Sequence, residues 1–464
     1  MTNEKRPMTD DPPNIVLVHC HDLGRHLGCY GADIETPNVD ALADDGALFH
    51  NHFVSAPQCS PSRGSLHTGM YPHNNGLMGL ASRGEWRFNE GVTPLAALLR
   101  ENGYLTSLIG IQHAAADAGP WVGETGRPER LGFERVESYD DDLYRAEDVA
   151  ERFTERVDSL ATDSPFFAAL GFSEPHRPFQ KDYVDDEAYK SRDSETVTPP
   201  PYLPDTDGLR EDVADLHTLI AETVDPAIGQ VREALSDAGI EEETVLVFTA
   251  DHGAALPRAK MTCFDPGLES ALLVRYPGTV PEGVEYDELL SNVDVLPTLC
   301  DLAGVDVPAN VDGRSFAPLF GDDQYAPRDH VYAEMTFHGT YDPMRAFRTE
   351  EYKYVRSFSD APLVSLPGGV IDSPSAEGLI GPFLGESRPV EQLYHLESDP
   401  HEQENLASDR LIYEPESYGS DPAPEHEDAL VELREQVEAW MRDTDDPLLD
   451  GPPNPPYPGL NLSD

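Results

Sequence analysis

Five short apolar runs, separated by segments of helical period, narrow the folds open to this chain more than any other feature. Ile15–Val18, Leu105–Ile109, Pro165–Phe172, Thr244–Thr249 and Ala271–Arg275 have the length and content of buried strands. Thr93-Pro94 predicts a helix with Pro at its first helical position, closed by Gly103. Ile220, Val224, Ile228, Val231 and Leu235 recur at three- and four-residue spacing, which predicts a helix over 211–238 stopped by Gly239. Strands alternating with helices imply an α/β fold: a large, mostly parallel sheet sandwiched by helices.

Past residue 328 the pattern changes. Val331–Met335, Met344–Arg348 and Tyr352–Ser357 read as short strands, the last two joined as a hairpin across 349–351. The stretch 361–389, rich in Pro, Gly and Ser, reads as a long loop or insertion, and 427–441 as a helix. The expected layout is a polar arm over 1–13, an α/β domain with the active site over 14–328, a small α+β domain over 329–446, and an irregular tail over 447–464.

The charge balance removes two classes of partner. With 87 acidic and 32 basic residues the net charge is −55. A nucleic acid is not an expected partner, because its phosphates are held by Lys and Arg. No run of 18 apolar residues exists, so a membrane is not expected either. Only Lys5, Lys181, Lys190, Lys260 and Lys353 are lysines; the other basic residues are Arg. Self-repulsion on this scale needs salt to screen it, which points to a halophilic protein. No apolar signal core follows Lys5-Arg6, and Cys20, Cys29, Cys59, Cys263 and Cys300 are sparse and lack zinc-type spacing. Both features suit a cytoplasmic location.

Three polar clusters fall where strands should end. His21-Asp22 follows the first run, His113 comes four residues after Ile109, and Asp251-His252-Gly253 follows the fourth run. In open α/β sheets, ligands bind beyond the carboxyl ends of the strands. Two acid-plus-imidazole pairs at such ends suit a divalent cation, although either pair alone is more often an ordinary loop feature. In Cys59-Ser60-Pro61-Ser62-Arg63-Gly64, Pro61 predicts a short helix with Cys59 just ahead of its N-terminus. Backbone N–H groups there favour an anion, and Arg63 adds a fixed positive charge. Such surroundings set Cys59 apart from an inert core cysteine.

These residues carry a resemblance. Cys59-Ser60-Pro61-Ser62-Arg63, continued by Leu66-His67-Thr68-Gly69 and Tyr71-Pro72-His73-Asn74-Asn75-Gly76, resembles the signature of the type I sulfatases. That family is a formylglycine-dependent branch of the alkaline phosphatase superfamily. Tyr30-Gly31, Thr36-Pro37-Asn38-Val39-Asp40, Pro175-His176-Arg177 and Asp251-His252-Gly253 match in family order, as does the stretch from Leu393-Tyr394 through Asp399-Pro400 to Asn405-Leu406-Ala407. Met344-Arg345, Asp399-Pro400-His401-Glu402 and Thr444-Asp445-Asp446-Pro447 are similar to the heparan N-sulfatase (sulfamidase) members.

The resemblance implies a sulfuric ester hydrolase acting on a sulfate ester or sulfamate of a small or oligomeric substrate. It implies that a formylglycine-generating enzyme converts Cys59 to an aldehyde, which hydrates to a diol. One hydroxyl attacks sulfur and displaces the alcohol or amine; the other then loses its proton and expels sulfate. By the same resemblance, Asp22, Asp251 and His252, with His21 as a further ligand, hold one divalent cation, usually calcium. Arg63 steadies the diolate, His113 and His176 assist leaving-group departure and elimination, and Lys260 contacts the sulfate. His176 and Arg345 join Lys260 in binding substrate. Two readings compete: a phosphonate or phosphate diester hydrolase of the same superfamily, and a non-catalytic sulfatase-like binding protein.

Two positions depart from the family pattern. His21 stands where the family has a first aspartate, which favours manganese or zinc relative to calcium. Ile111, followed by uncharged Gln112, stands where the family has a sulfate-binding lysine two residues before the histidine. Loss of one charge-assisted hydrogen bond costs about 1.5–3 kcal/mol.

Overall fold

The computed structural model describes residues 12–81, 86–115, 131–138, 144–162, 164–179, 194–321, 325–407 and 426–453. Most of the expected arm (1–11) and the end of the expected tail (454–464) lie outside the described residues.

The strands of the larger part are β1 (Asn14–Cys20), β2 (Ala47–Phe49), β3 (His52–Phe53), β4 (Leu105–Gly110), β5 (Arg135–Glu137), β6 (Phe166–Gly171), β7 (Thr244–Ala250), β8 (Leu272–Arg275), β9 (Val284–Tyr286) and β10 (Leu290–Ser291). Eight of them form one sheet in the order β5-β4-β6-β1-β7-β8-β2-β9. All five strands from β5 to β7 in that order are mutually parallel, whereas β8 runs antiparallel to both β7 and β2. The sheet is therefore mixed at one side. Its central strands feed two cores because side chains alternate along a strand. Val16, Val18, Ala168, Leu170, Leu246 and Phe248 pack on one face. Ile15, Leu17, Phe167, Ala169, Val245 and Val247 pack on the other.

Two expected helices differ in detail. The first spans Leu95–Glu101, with Pro94 at the cap position rather than inside the helix. The second starts earlier, at Asp207, because the Thr206 side chain accepts the Leu209 N–H at 3.1 Å. It is also interrupted by a π-turn over Ile220–Val224 before resuming as Asp225–Asp237. Pro226, which lacks an N–H for the helical ladder, sits just after that turn.

Beyond residue 328, β11 (Val331–Phe337), β12 (Tyr341–Arg348), β13 (Tyr352–Ser357) and β14 (Glu391–His395) form an antiparallel four-stranded sheet in chain order. The helix Glu427–Asp443 lays Leu433, Val437 and Trp440 into a core with Tyr354 and Leu393; Tyr71 and Val293 of the larger part join it. The segment 361–389 is not structureless: it contains helical turns at Gly368–Ile371, Pro374–Ala376 and Ile380–Gly385. No helix among the described residues is long and apolar enough to cross a membrane.

Candidate active site

The parallel strands β4, β6, β1 and β7 lie side by side, so the residues after their carboxyl ends enter one crevice. Cys20 is in register with Ala250, which brings His21-Asp22 alongside Asp251-His252. His113 follows β4, and His176 follows β6. The chain ends approach closely here: a Cβ on Gly171 would lie 1.7 Å from the Ile111 carbonyl oxygen, so only glycine fits. Asp22 and His113 adopt left-handed backbone angles (φ 56° and 50°), as do Arg258 and Met261 on either side of Lys260. Each such residue costs of order 1–3 kcal/mol, held by the surrounding structure.

Cys59 is the first residue of the helix Cys59–Thr68, which begins earlier than Pro61, so Cys59 lies inside its N-terminus rather than ahead of it. All ten residues of this helix are buried, and Gly69 ends it in the left-handed conformation. Asn292 anchors it by donating its amide to the Ser62 carbonyl and hydroxyl oxygens, both at 3.0 Å. The Ser62 hydroxyl in turn donates to the Asp251 carbonyl. Arg63, 0% exposed, donates its Nε to Asp251 Oδ2 at 3.0 Å and an Nη to the Cys20 carbonyl, and contacts His19 Nδ1. Its guanidinium thus acts on the site through Asp251.

His21, Asp22, Cys59, Asp251 and His252 are all buried, and each offers a donor atom within 4.8 Å of the others. His21 Nδ1 lies 2.9 Å from Asp22 Oδ1 and 3.2 Å from Asp251 Oδ2. His252 Nε2 lies 3.2 Å from Asp22 Oδ1 and 3.5 Å from Cys59 Sγ. Here Cys59 is the unmodified thiol, and its sulfur stands where the oxygens of a formylglycine would sit. Lys260 donates to both Asp22 oxygens, at 2.8 and 2.7 Å. His113 Nδ1 is 3.1 Å from His21 Nε2, and the His176 ring meets the His21 ring edge-on at 4.2 Å.

Electrostatics sort these groups. Burial alone raises the Asp22 and Asp251 carboxyls, yet both lie below the usual carboxylate range. Lys260 and then the imidazoles outweigh burial at Asp22; His252 and Arg63 do so at Asp251. Lys260 is pushed up to about 12 because Asp22 outweighs its own burial. Burial drives His21 and His176 down and His113 to about 3, leaving lone pairs on neutral rings. Burial also pushes the Cys59 thiol up to about 12, so its surroundings do not create a thiolate. Position 59 lacks the activation a thiol nucleophile needs.

Two carboxylates and two imidazoles converging on one point fit a divalent cation. The carboxylates are balanced by Lys260 and Arg63, so an added dication leaves the cluster net positive, as an anionic substrate requires. Ile111 is 0% exposed, and the Gln112 side chain is turned back onto Ala115, so neither brings a cation to the cluster.

Above the cluster lies a pocket of about 990 Å³, lined by His176, Arg177 and Lys260 together with the 338–342 turn and 361–370. Arg345 belongs elsewhere, which corrects its expected place in substrate binding. It is 0% exposed and paired with Asp446 at 2.5 Å and Glu334 at 3.1 Å, because a buried guanidinium must satisfy its donors. It also supplies the positive charge for the second acidic cluster, His73, Glu334 and Asp446. The sequence reading missed His19 and Asn292. Strand alternation signals His19, since it shares a face with His21; nothing local signals Asn292.

A sheet of this topology, with its crevice at the carboxyl ends and a separate small antiparallel sheet, defines an alkaline phosphatase-like fold. The chain belongs to the sulfatase family, whose model matches residues 13–305; a model of the N-sulphoglucosamine sulphohydrolase C-terminal region matches 258–366. It is 27% identical to the human N-sulphoglucosamine sulphohydrolase over 95% of this chain and 92% of that one. It is 30% identical to human arylsulfatase A over 74% of each. An ulvan-active sulfatase of Formosa agariphila is 26% identical over 92% of this chain and 74% of its own length. Among solved structures, a putative sulfatase from Bacteroides fragilis superposes with a TM-score of 0.72 at 21% identity, covering 98% of this chain and 100% of that one. A phosphonate monoester hydrolase of Agrobacterium radiobacter shares the fold at a TM-score of 0.71 and 21% identity, covering 94% and 97%.

Proposed function

We propose that this chain hydrolyses a sulfate ester or sulfamate on a saccharide, with position 59 converted to formylglycine and one divalent cation in the cluster beside it. The observation that carries the proposal is the burial of Cys59 within one donor set with His21, Asp22, Asp251 and His252. Its thiol is kept protonated, so the cysteine serves better as the precursor of a nucleophile than as one itself. The relatives named for N-sulphoglucosamine and ulvan support a saccharide substrate. When bound, the cation supplies Lewis acidity, and a hydrated aldehyde at 59 supplies the attacking oxygen.

The remaining work falls to the chain's own side chains. Asp22, Asp251, His252 and His21 hold the cation; their donor types suit manganese and zinc as well as calcium. Arg63 fixes Asp251, and Lys260 faces both Asp22 and the pocket, where it meets the anionic sulfate. His176, whose side chain is 42% exposed, is neutral in the free protein; it takes up a proton from solvent when the anionic sulfate binds beside it and passes that proton to the departing oxygen or nitrogen. His113 orients His21. We further propose a halophilic, cytoplasmic setting and maturation by a formylglycine-generating enzyme, supported by the charge balance and the Cys59-to-Arg63 motif. The test is hydrolysis of an aryl sulfate by metal-loaded protein and by Cys59→Ala. Turnover lost in the variant with its melting curve unchanged supports the reading; substantial residual hydrolysis defeats it.

A further inference from the structure

Asp212, absent from the motifs above, is where three pocket-building segments meet. It lies on the helix Asp207–Leu219, 2% exposed. Arg177 donates to it through both Nη atoms, at 3.3 Å to Oδ1 and 2.7 Å to Oδ2. The Ser375 backbone N–H, in the 361–389 segment, donates to the same Oδ2 at 3.0 Å. Arg177 Nε completes the fork by donating to the Ala255 carbonyl at 2.6 Å, in the loop that runs from Asp251 to Lys260. The contact with the 361–389 segment continues on either side. A Cβ on Gly369 would lie 3.3 Å from Arg177 Cβ, and one on Gly208 would lie 2.3 Å from the Pro374 carbonyl oxygen.

His176 precedes Arg177 and is the open member of the imidazole group. A half-exposed ring is not fixed by enclosure, so its position depends on the backbone beside it. A bidentate guanidinium–carboxylate pair fixes both distance and plane, which a single charge contact does not. We infer that Asp212 is a positioning residue: by clamping Arg177 and Ser375 it sets His176 against the reacting centre and seats the adjoining 361–389 wall. The inference rests on the sulfatase reading for its kinetic consequence, though not for the clamp. A misplacement of about 1 Å in such a group costs up to about 100-fold in rate.

The experiment compares Asp212→Asn with the parent chain, both metal-loaded, on an activated aryl sulfate and on an alkyl sulfate, whose leaving group needs a proton more. A positioning role predicts that kcat on the alkyl ester falls about tenfold further than on the aryl ester, with KM moving much less. His176→Ala shows the same bias, and the double variant is little worse than His176→Ala alone. Asp212→Glu, which keeps the charge, recovers part of the alkyl rate. Arg177→Lys, which keeps charge but loses the fork, behaves like Asp212→Asn and serves if that variant folds poorly. Equal losses on both esters, or additive losses in the double variant, overturn the inference. Hydrogen exchange reads the clamp without any activity. Faster exchange in both 173–179 and 361–389 of Asp212→Asn supports it, and unchanged exchange in 173–179 overturns it. If the parent chain hydrolyses neither a sulfate ester nor a sulfamate, the sulfatase reading fails and the exchange measurement alone decides on the clamp.

Discussion

Lys260 spans the pocket floor to Asp22, its ammonium 2.8 and 2.7 Å from the two carboxylate oxygens. Both groups are buried, and each holds the other in its charged form. The same carboxylate is a proposed ligand of the divalent cation, so Lys260 and the cation share it.

This sharing fixes the behaviour of Lys260→Met. Without the ammonium, Asp22 is a buried charge lacking its main partner, and the metal-free protein loses about 3–5 kcal/mol. A dication restores that partner, so the rise in melting temperature between EDTA and saturating manganese is larger in the variant than in the parent. Turnover of an aryl sulfate still falls, because the sulfate loses a cation. A smaller metal-induced rise in the variant contradicts the arrangement.

Arg345 and Asp446 predict an acid-side effect. Burial alone raises the Asp446 carboxyl, but Arg345 holds it below the usual carboxylate range. A carboxyl with a depressed folded-state pKa contributes stability that is fully present above its unfolded value, about 3.9. That stability is lost as pH falls through the folded value. Asp446→Asn should therefore destabilise the protein by about 3 kcal/mol at pH 7. The gap from the parent should narrow as pH drops below about 4. Urea melts across that range check it; a gap constant with pH contradicts the assignment.

Much of the site was legible because strand ends are legible. His21-Asp22, His113 and Asp251-His252 each follow an apolar run, and parallel pairing sends such ends to one edge; His176 was legible only through the resemblance. The Cys59 motif was legible as a resemblance. Arg345 was not: Met344-Arg345 reads as a motif, but only the packing of Glu334 and Asp446 around it shows that the guanidinium is enclosed. The direction of β8 was equally hidden, because a buried apolar run looks the same in either orientation. Asp212 has no local signal, since its partners lie 35 and 163 residues away.

Salt should act on the whole molecule. With 87 acidic residues against 32 basic, carboxylates repel across the surface when the Debye length is about 10 Å, and far less when it is about 3 Å. Raising KCl from about 0.1 M to about 2 M, with metal saturating, should raise the melting temperature and the steady-state rate. Saturating metal keeps simple loss of the ion from imitating the effect. Equal or higher stability in dilute buffer contradicts the halophilic reading and leaves the sulfatase one untouched.

The central claim is chemical identity at position 59. Mass spectrometry of the tryptic peptide containing Cys59, from protein made in a host with a formylglycine-generating enzyme, reads it directly. The account predicts the aldehyde, with turnover rising in proportion to its occupancy across preparations. An unmodified thiol in preparations that turn over substrate at full rate would contradict it.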